Sequence, residues 1–256
     1  MRVLSALLFA LLAERAQAFH VMIDPGHGGV DTGAVHAQLK EADLVLDLAF
    51  RLRDLLQKEP GLRVSLTRDQ DHPLTLPERV KKADEQKADL LVSLHANAAP
   101  DSKARGLEFF FQNSLPPDED ALYLANLENQ SVSGREGQSP GEISRRGDVA
   151  AIVEDLHRQS RMLSSLNFSE ILAKQWKGEK GKAPSIKQAP FVVVSQASMP
   201  SVLVEVGFLT HPAEAKKLAT LSYRDDLARK IRDALVDYRS RHGSRDLGPS
   251  QSETRP

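Results

Sequence analysis

Four residues of this chain have side chains and positions suited to chemistry. In IDPGHGG (residues 23–29) a β-branched apolar run stops at Asp24-Pro25-Gly26 and leaves His27 among glycines. His95 falls near the end of DLLVSLHAN, Glu205 inside SVLVEVGFL, and Glu41 at the head of a long amphipathic segment. Each alone has an ordinary reading: a glycine-loop histidine, a hydrogen-bonded core histidine, a buried ion pair, and a first-turn acid favoured by the helix macrodipole. The GHGG loop lacks the spacing and the lysine of a phosphate-binding P-loop. Together, the imidazoles of His27 and His95 and the carboxylate of Glu41 have the composition of a catalytic zinc site, which keeps a further position for water. The glycines beside His27 let backbone approach such a centre closely.

Glu41 and Glu205 carry further signals. Glu41 lies in phase with Leu44 and Leu48, so it faces the apolar side of its helix, where an unpaired carboxylate is costly. Glu205 is flanked by Val202, Leu203, Val204, Val206 and Phe208. A carboxylate there must be paired, protonated or functional. Its functional reading is a general base for water and then an acid to a leaving amine, with burial raising its pKa toward the useful range. Asp24 either orients a ligating imidazole or simply begins the turn.

These positions imply the elements that must hold them. Ligands of open α/β sheets bind beyond the carboxyl ends of the strands. Strand patterns run over 19–24, 63–68, 89–97, 106–112, 191–195 (FVVVS) and 201–209, and helical ones over 41–58, 76–88 and 222–242. The alternation predicts one α/β domain over residues 19–242: a mostly parallel, twisted, hydrolase-like sheet of about six strands with helices on both faces. Residues 113–159 break the rhythm as a polar insertion. It holds a helical piece (118–130), a loop (131–147) and a short amphipathic helix with Val149, Ile152, Val153 and Leu156 on one side. Long insertions in compact domains are often functional. Residues 243–256 read as a disordered tail.

Composition narrows the function classes. The 256 residues carry 34 Lys and Arg against 35 Asp and Glu, for a net charge of −1, which argues against bulk binding to nucleic acid or a membrane surface. The absence of cysteine excludes thiolate zinc sites, Fe–S clusters and cysteine nucleophiles, so any metal must be held by His, Asp or Glu. The N-terminus has Arg2, an apolar stretch over 3–13 and Ala16-Gln17-Ala18. This is the pattern of a cleaved secretory signal over residues 1–18, too short for a membrane span. The expected mature protein is exported, periplasmic or secreted, without a membrane span, and monomeric.

At these residues the chain resembles a known family. IDPGHGG, Glu41, LTRDQD (66–71), ERVKKAD (78–84), SLHANAAP (93–100), ARGLEFFF (104–111) and MPSVLVEVGFLTHPAE (199–214) are similar, in order, to the zinc-dependent N-acetylmuramoyl-L-alanine amidases of the AmiA/AmiB/AmiC type. The resemblance covers about residues 20–240. It implies Zn2+ held by His27, Glu41 and His95, with Glu205 as the catalytic glutamate. The implied reaction is hydrolysis of the peptidoglycan amide between the muramic acid lactyl group and L-alanine, in cell-wall turnover and daughter-cell separation. The insertion resembles that of autoinhibited members, in which a helix covers the site, an acid occupies the open zinc position, and an activator with a LytM-like domain displaces it. Glu142, Asp148, Glu154 and Asp155 are the candidate acids, and the apolar side of their helix could dock into a groove. Little sequence separates the leader from the first strand, so no N-terminal targeting domain is expected. The competing readings are a zinc peptidase on a similar sheet and a catalytically inactive peptidoglycan-binding or activator-binding module.

Overall fold

The computed structural model describes residues 18–113, 115–130, 148–177 and 183–242, without the side chains of 148–151. Its centre is a six-stranded sheet of β1 (Phe19–Pro25), β4 (Leu62–Leu66), β5 (Leu90–Asn97), β6 (Glu108–Phe111), β7 (Ser185–Gln188) and β8 (Ser201–Phe208), in the order β4-β1-β5-β8-β6-β7. All neighbours are parallel except β6 and β8. A two-stranded hairpin, β2 (Val35–His36) and β3 (Leu39–Lys40), leads into the first helix. The central strands β5 and β8 are buried along their whole length, which is why they read as near-continuous apolar runs.

Helices cover both faces. On one, α1 (Glu41–Leu56), the C-terminal half of α4 (Asp148–Lys174) and α7 (Leu221–His242) bury Leu48, Leu52, Phe168, Ile171, Ile231 and Leu235 against Val92 and Val204. On the other, α2 (Leu76–Glu85), α3 (Glu119–Gln130) and the single turn α5 (Val192–Ser195) pack Val80, Leu124 and Val194 against Met22, Leu91, Phe110 and Leu203. A short α6 (Pro212–Leu218) follows β8.

Two sequence expectations are corrected. FVVVS is not a strand. Val192–Ser195 form a helical turn whose Val193 and Val194 enter the second core, and a short buried apolar run fits either geometry. The outer strand is instead the half-buried SIKQ of Ser185–Gln188, paired with β6 on one side only. The short helix expected after residue 147 is the start of the 27-residue α4. Its Ile152, Val153 and Leu156 are exposed rather than docked. The leader through residue 17, the loop 131–147 and the tail from 243 lie outside the described residues.

Candidate active site

The ends of β1 and β5 and the head of α1 meet at one point. β1 ends at Pro25, and the chain turns through Gly26 into His27, whose φ of 56° is left-handed. Such a backbone costs a non-glycine residue roughly 1–2 kcal/mol. Gly26 lies against the second imidazole: a Cβ there would come within 2.4 Å of His95 Cε1. The head of α1 is tied to the preceding loop by bonds from Glu41 N to Ala34 O (2.9 Å) and Ala42 N to Thr32 O (3.1 Å). These satisfy first-turn donors that have no intrahelical partner. They also fix where Glu41 begins.

Glu41 Oε1 stands 3.1 Å from His27 Nε2 and 3.2 Å from His95 Nδ1. Backbone amides hold this carboxylate, with Ala96 N donating to Oε1 and Ala34 N to Oε2, both at 2.9 Å. His27 Nδ1 donates to Asp31 Oδ2 at 2.9 Å, which leaves Nε2 aimed at the shared point. Neither His27 Nε2 nor His95 Nδ1 has a hydrogen-bond partner; both are buried and meet only carboxylate oxygens. Donors on a tetrahedral zinc ion with bonds of about 2.0–2.1 Å lie roughly 3.3 Å apart. The spacing of these atoms fits such an ion, and the donor types suit it. Electrostatics point the same way. Burial disfavours charge on His27, yet the Glu41 carboxylate at 3.1 Å, the hydrogen bond to Asp31 and the Glu128 charge push its pKa up to about 11. Surroundings that hold a proton so strongly would also hold a cation.

A fourth side chain, a second carboxylate, completes the cluster, and sequence reasoning missed it. Glu128 Oε2, from α3, lies 3.3 Å from His27 Nε2 and 3.4 Å from His95 Nδ1. The donor atoms of His27, His95 and Glu128 lie within 4.8 Å of one another. Burial raises the pKa of Glu128. Of the four acids named from the sequence, the two whose side chains are described, Glu154 and Asp155, are not brought to this point. Glu154 and Asp155 are exposed and pair with Arg161 and Arg158 on their own helix, while Glu142 and the Asp148 side chain lie outside the described residues. A signal for Glu128 existed: it follows the buried Leu124 by four residues and Ala125 by three, the same phase argument that singled out Glu41.

Glu205 is 1% exposed and is the register partner of His95 on the adjacent strand. Neither of its carboxylate oxygens has a hydrogen-bond partner. Burial, reinforced by the charges of Glu41, Glu128 and Glu108, holds its pKa well above the usual carboxylate range. Asp24 does not reach an imidazole. It accepts from Thr67 Oγ1 (2.5 Å), Ser93 Oγ (2.8 Å) and Arg79 Nη1 (2.8 Å). The orienting role weighed for it falls to Asp31.

A family model described as N-acetylmuramoyl-L-alanine amidase matches residues 21–237. The chain is 35% identical over 231 residues to N-acetylmuramoyl-L-alanine amidase AmiC of Escherichia coli O6:H1, covering 88% of this chain and 54% of AmiC. It is 34% identical over 223 residues to AmiA of Escherichia coli K12, covering 85% of this chain and 75% of AmiA. It therefore spans about half the length of AmiC. Among solved structures, the catalytic domain of the amidase CwlV from Bacillus (Paenibacillus) polymyxa var. colistinus superposes with a TM-score of 0.64 at 27% identity, covering 86% of this chain and 98% of that one. The amidase AmiC2 of Nostoc punctiforme gives 0.60 at 26%, covering 87% and 98%.

Proposed function

The chain belongs to the N-acetylmuramoyl-L-alanine amidase family, and we propose that it is a zinc-dependent hydrolase of the peptidoglycan amide between N-acetylmuramic acid and L-alanine, held inactive by α3. The observation that carries this reading is the convergence of His27 Nε2, His95 Nδ1 and Glu41 Oε1 at 3.1–3.2 Å spacing beside an unpartnered buried Glu205. His27, Glu41 and His95 would hold the ion. When bound, it supplies Lewis acidity toward the scissile carbonyl and a lowered pKa for water. Glu205 takes the proton from the attacking water and returns it to the nitrogen of the departing L-alanine, leaving a free carboxylate on the lactyl group. A carboxylate with a raised pKa is suited to both halves of that transfer. Asp31 fixes the His27 ring through Nδ1.

Glu128 accounts for restraint. Its carboxylate faces both imidazole nitrogens, where water and the substrate carbonyl must come. α3 is held by Leu124, Ala121, Ala125 and two bonds of Asn129, from its Nδ2 to Pro190 O at 3.0 Å and from Val192 N to its Oδ1 at 2.8 Å. Burying one leucine stabilises by about 1.5–3 kcal/mol, so this contact is modest enough for a partner to displace. Leu122, Tyr123 and Leu127 on the outer side of α3 are exposed, and an activator with a LytM-like domain is our reading of that partner. The leader pattern over residues 1–18 supports export, and cell-wall turnover with daughter-cell separation is the process proposed. No helix among the described residues is long and apolar enough to cross a membrane.

The test is release from labelled sacculi by protein with and without residues 113–159, before and after chelation and zinc re-addition. Free stem peptides beginning with L-alanine, lost on chelation and restored by zinc, are the expected products. Shortened stems still attached to sugar would identify a peptidase, and binding without release a non-catalytic module. Either result overturns the amidase reading.

A further inference from the structure

Arg68 and Arg79 are 1% and 2% exposed, and neither is among the residues assigned above to metal binding or proton transfer. Both guanidinium groups donate chiefly to main-chain carbonyls, those of the loop that carries His27 foremost, with Gln70 O (from Arg68 Nη1, 3.1 Å) and Leu74 O (from Arg79 Nε, 3.2 Å) beyond it. Arg68 donates from Nε to Pro25 O (3.0 Å) and from Nη2 to Gly26 O (2.7 Å) and Ala42 O (2.9 Å). Arg79 donates from Nη1 to Pro25 O (2.6 Å) and from Nη2 to His27 O (2.7 Å), and pairs with Asp24. The three consecutive carbonyls of residues 25–27 are thus all gripped. Ala42 is the neighbour of Glu41, so one guanidinium spans the two segments that supply His27 and Glu41.

We infer that Arg68 and Arg79 are positioning residues for the metal-ligand set, clamping the left-handed turn at His27 and its distance from Glu41. This rests on the metal reading given above. A strained backbone persists only when its surroundings over-determine it, and at His27 the fixed element is the carbonyl row. A planar fork with several donors can hold that row; the single ammonium of lysine cannot reach three acceptors in the same geometry. Burying a second cation beside Arg79 works against Arg68, whose pKa is lowered by burial and by the Arg79 charge, so packing alone gives no reason for an arginine there. The same pair ties loop 66–71 and α2, where LTRDQD and ERVKKAD lie, to the site. That gives both motifs a role they otherwise lack.

The test uses the full chain with Arg68→Lys and Arg79→Lys made separately, and Ile171→Ala, in the opposite core, as a control for general destabilisation. Zinc affinity is measured by competition with a chelating dye, alongside the zinc-induced rise in melting temperature. The expected result is zinc binding weakened about 10- to 100-fold in each lysine variant, a smaller rise in melting temperature at fixed zinc, and wild-type affinity in Ile171→Ala. Lysine variants that bind zinc as tightly as wild type overturn the inference. If one is destabilised without zinc, a zinc-induced rise in melting temperature equal to that of Ile171→Ala overturns it as well. Wild-type protein that takes up no zinc defeats the metal reading itself, which is a different outcome.

Discussion

Glu128 reaches His27 across the top of the sheet, from α3 to the loop after β1, with Oε2 at 3.3 Å from Nε2. If this carboxylate is the restraint, Glu128→Ala should raise amidase activity of the free protein about tenfold or more, equivalent to at least about 1.4 kcal/mol. α3 would stay docked through Leu124, so the gain should fall short of that from removing residues 113–159. Glu154→Ala and Asp155→Ala should change nothing, since both acids sit in exposed pairs on α4, which contribute little. Dye-release assays on sacculi with equal zinc loading decide the matter. An Ala variant at 128 no faster than wild type sinks the plug.

His95 and Glu205 share a register position on β5 and β8, and this fixes the expectation for Glu205→Gln. The amide is isosteric but cannot take a proton, so turnover should fall about 10²- to 10⁴-fold. Zinc content should be unchanged, because His27, Glu41 and His95 are untouched. The metal-free variant should also be at least as stable as wild type at neutral pH. Glu205's folded pKa is raised, so its contribution is fully present below the unfolded value near about 4.3 and is lost as pH rises through the folded one. Stability measured by urea unfolding with a chelator, together with turnover, tests both halves. A clear loss of fold in Glu205→Gln would show that the carboxylate has a structural partner.

The sequence carried the site's frame because its signals were strong there. The runs of β1, β5 and β8 are apolar on both faces, and Glu41 sits in phase with Leu44 and Leu48. What it concealed has physical reasons. Val192–Ser195 is an apolar β-branched run that serves as one helical turn, whereas Ser185–Gln188, an edge strand of four residues, is too short for alternation to register. Glu128 is hidden because the other helix of the insertion carries the more conspicuous apolar stripe, although its Ile152, Val153 and Leu156 face solvent. Asp31 lacked any signal beyond its nearness in sequence to His27. The Arg68 and Arg79 contacts run mainly to backbone carbonyls, which no side-chain pattern encodes.

Asp31 gives a prediction of its own. Its Oδ2 accepts from His27 Nδ1 and its Oδ1 from Gly33 N at 3.0 Å, so it holds both the ring and the turn that follows. Asp31→Ala should weaken zinc binding about 10- to 100-fold, with Asp31→Asn intermediate because its amide oxygen can still accept from the ring. Calorimetric zinc titration at constant pH checks this. Equal affinities for wild type and Asp31→Ala would mean that packing alone orients His27.

Asp24 supplies the pH prediction. Burial works against its ionisation, but the Arg79 charge and the hydrogen bonds from Thr67, Arg79 and Ser93 outweigh it and hold the carboxyl below its ordinary range. A depressed folded pKa means that the unfolded chain binds the proton first. The stabilisation is whole above the unfolded pKa of about 3.9, shrinks below it, and is gone once pH has fallen through the folded value. Asp24→Asn leaves the Arg79 cation buried without its counter-ion, a loss of roughly 3–5 kcal/mol at neutral pH. The gap between wild type and Asp24→Asn in urea unfolding should therefore be largest near neutrality and narrow steadily in acid below about pH 4. A gap that stays constant into acid would place the loss in packing around Thr67 and Ser93 rather than in the ion pair.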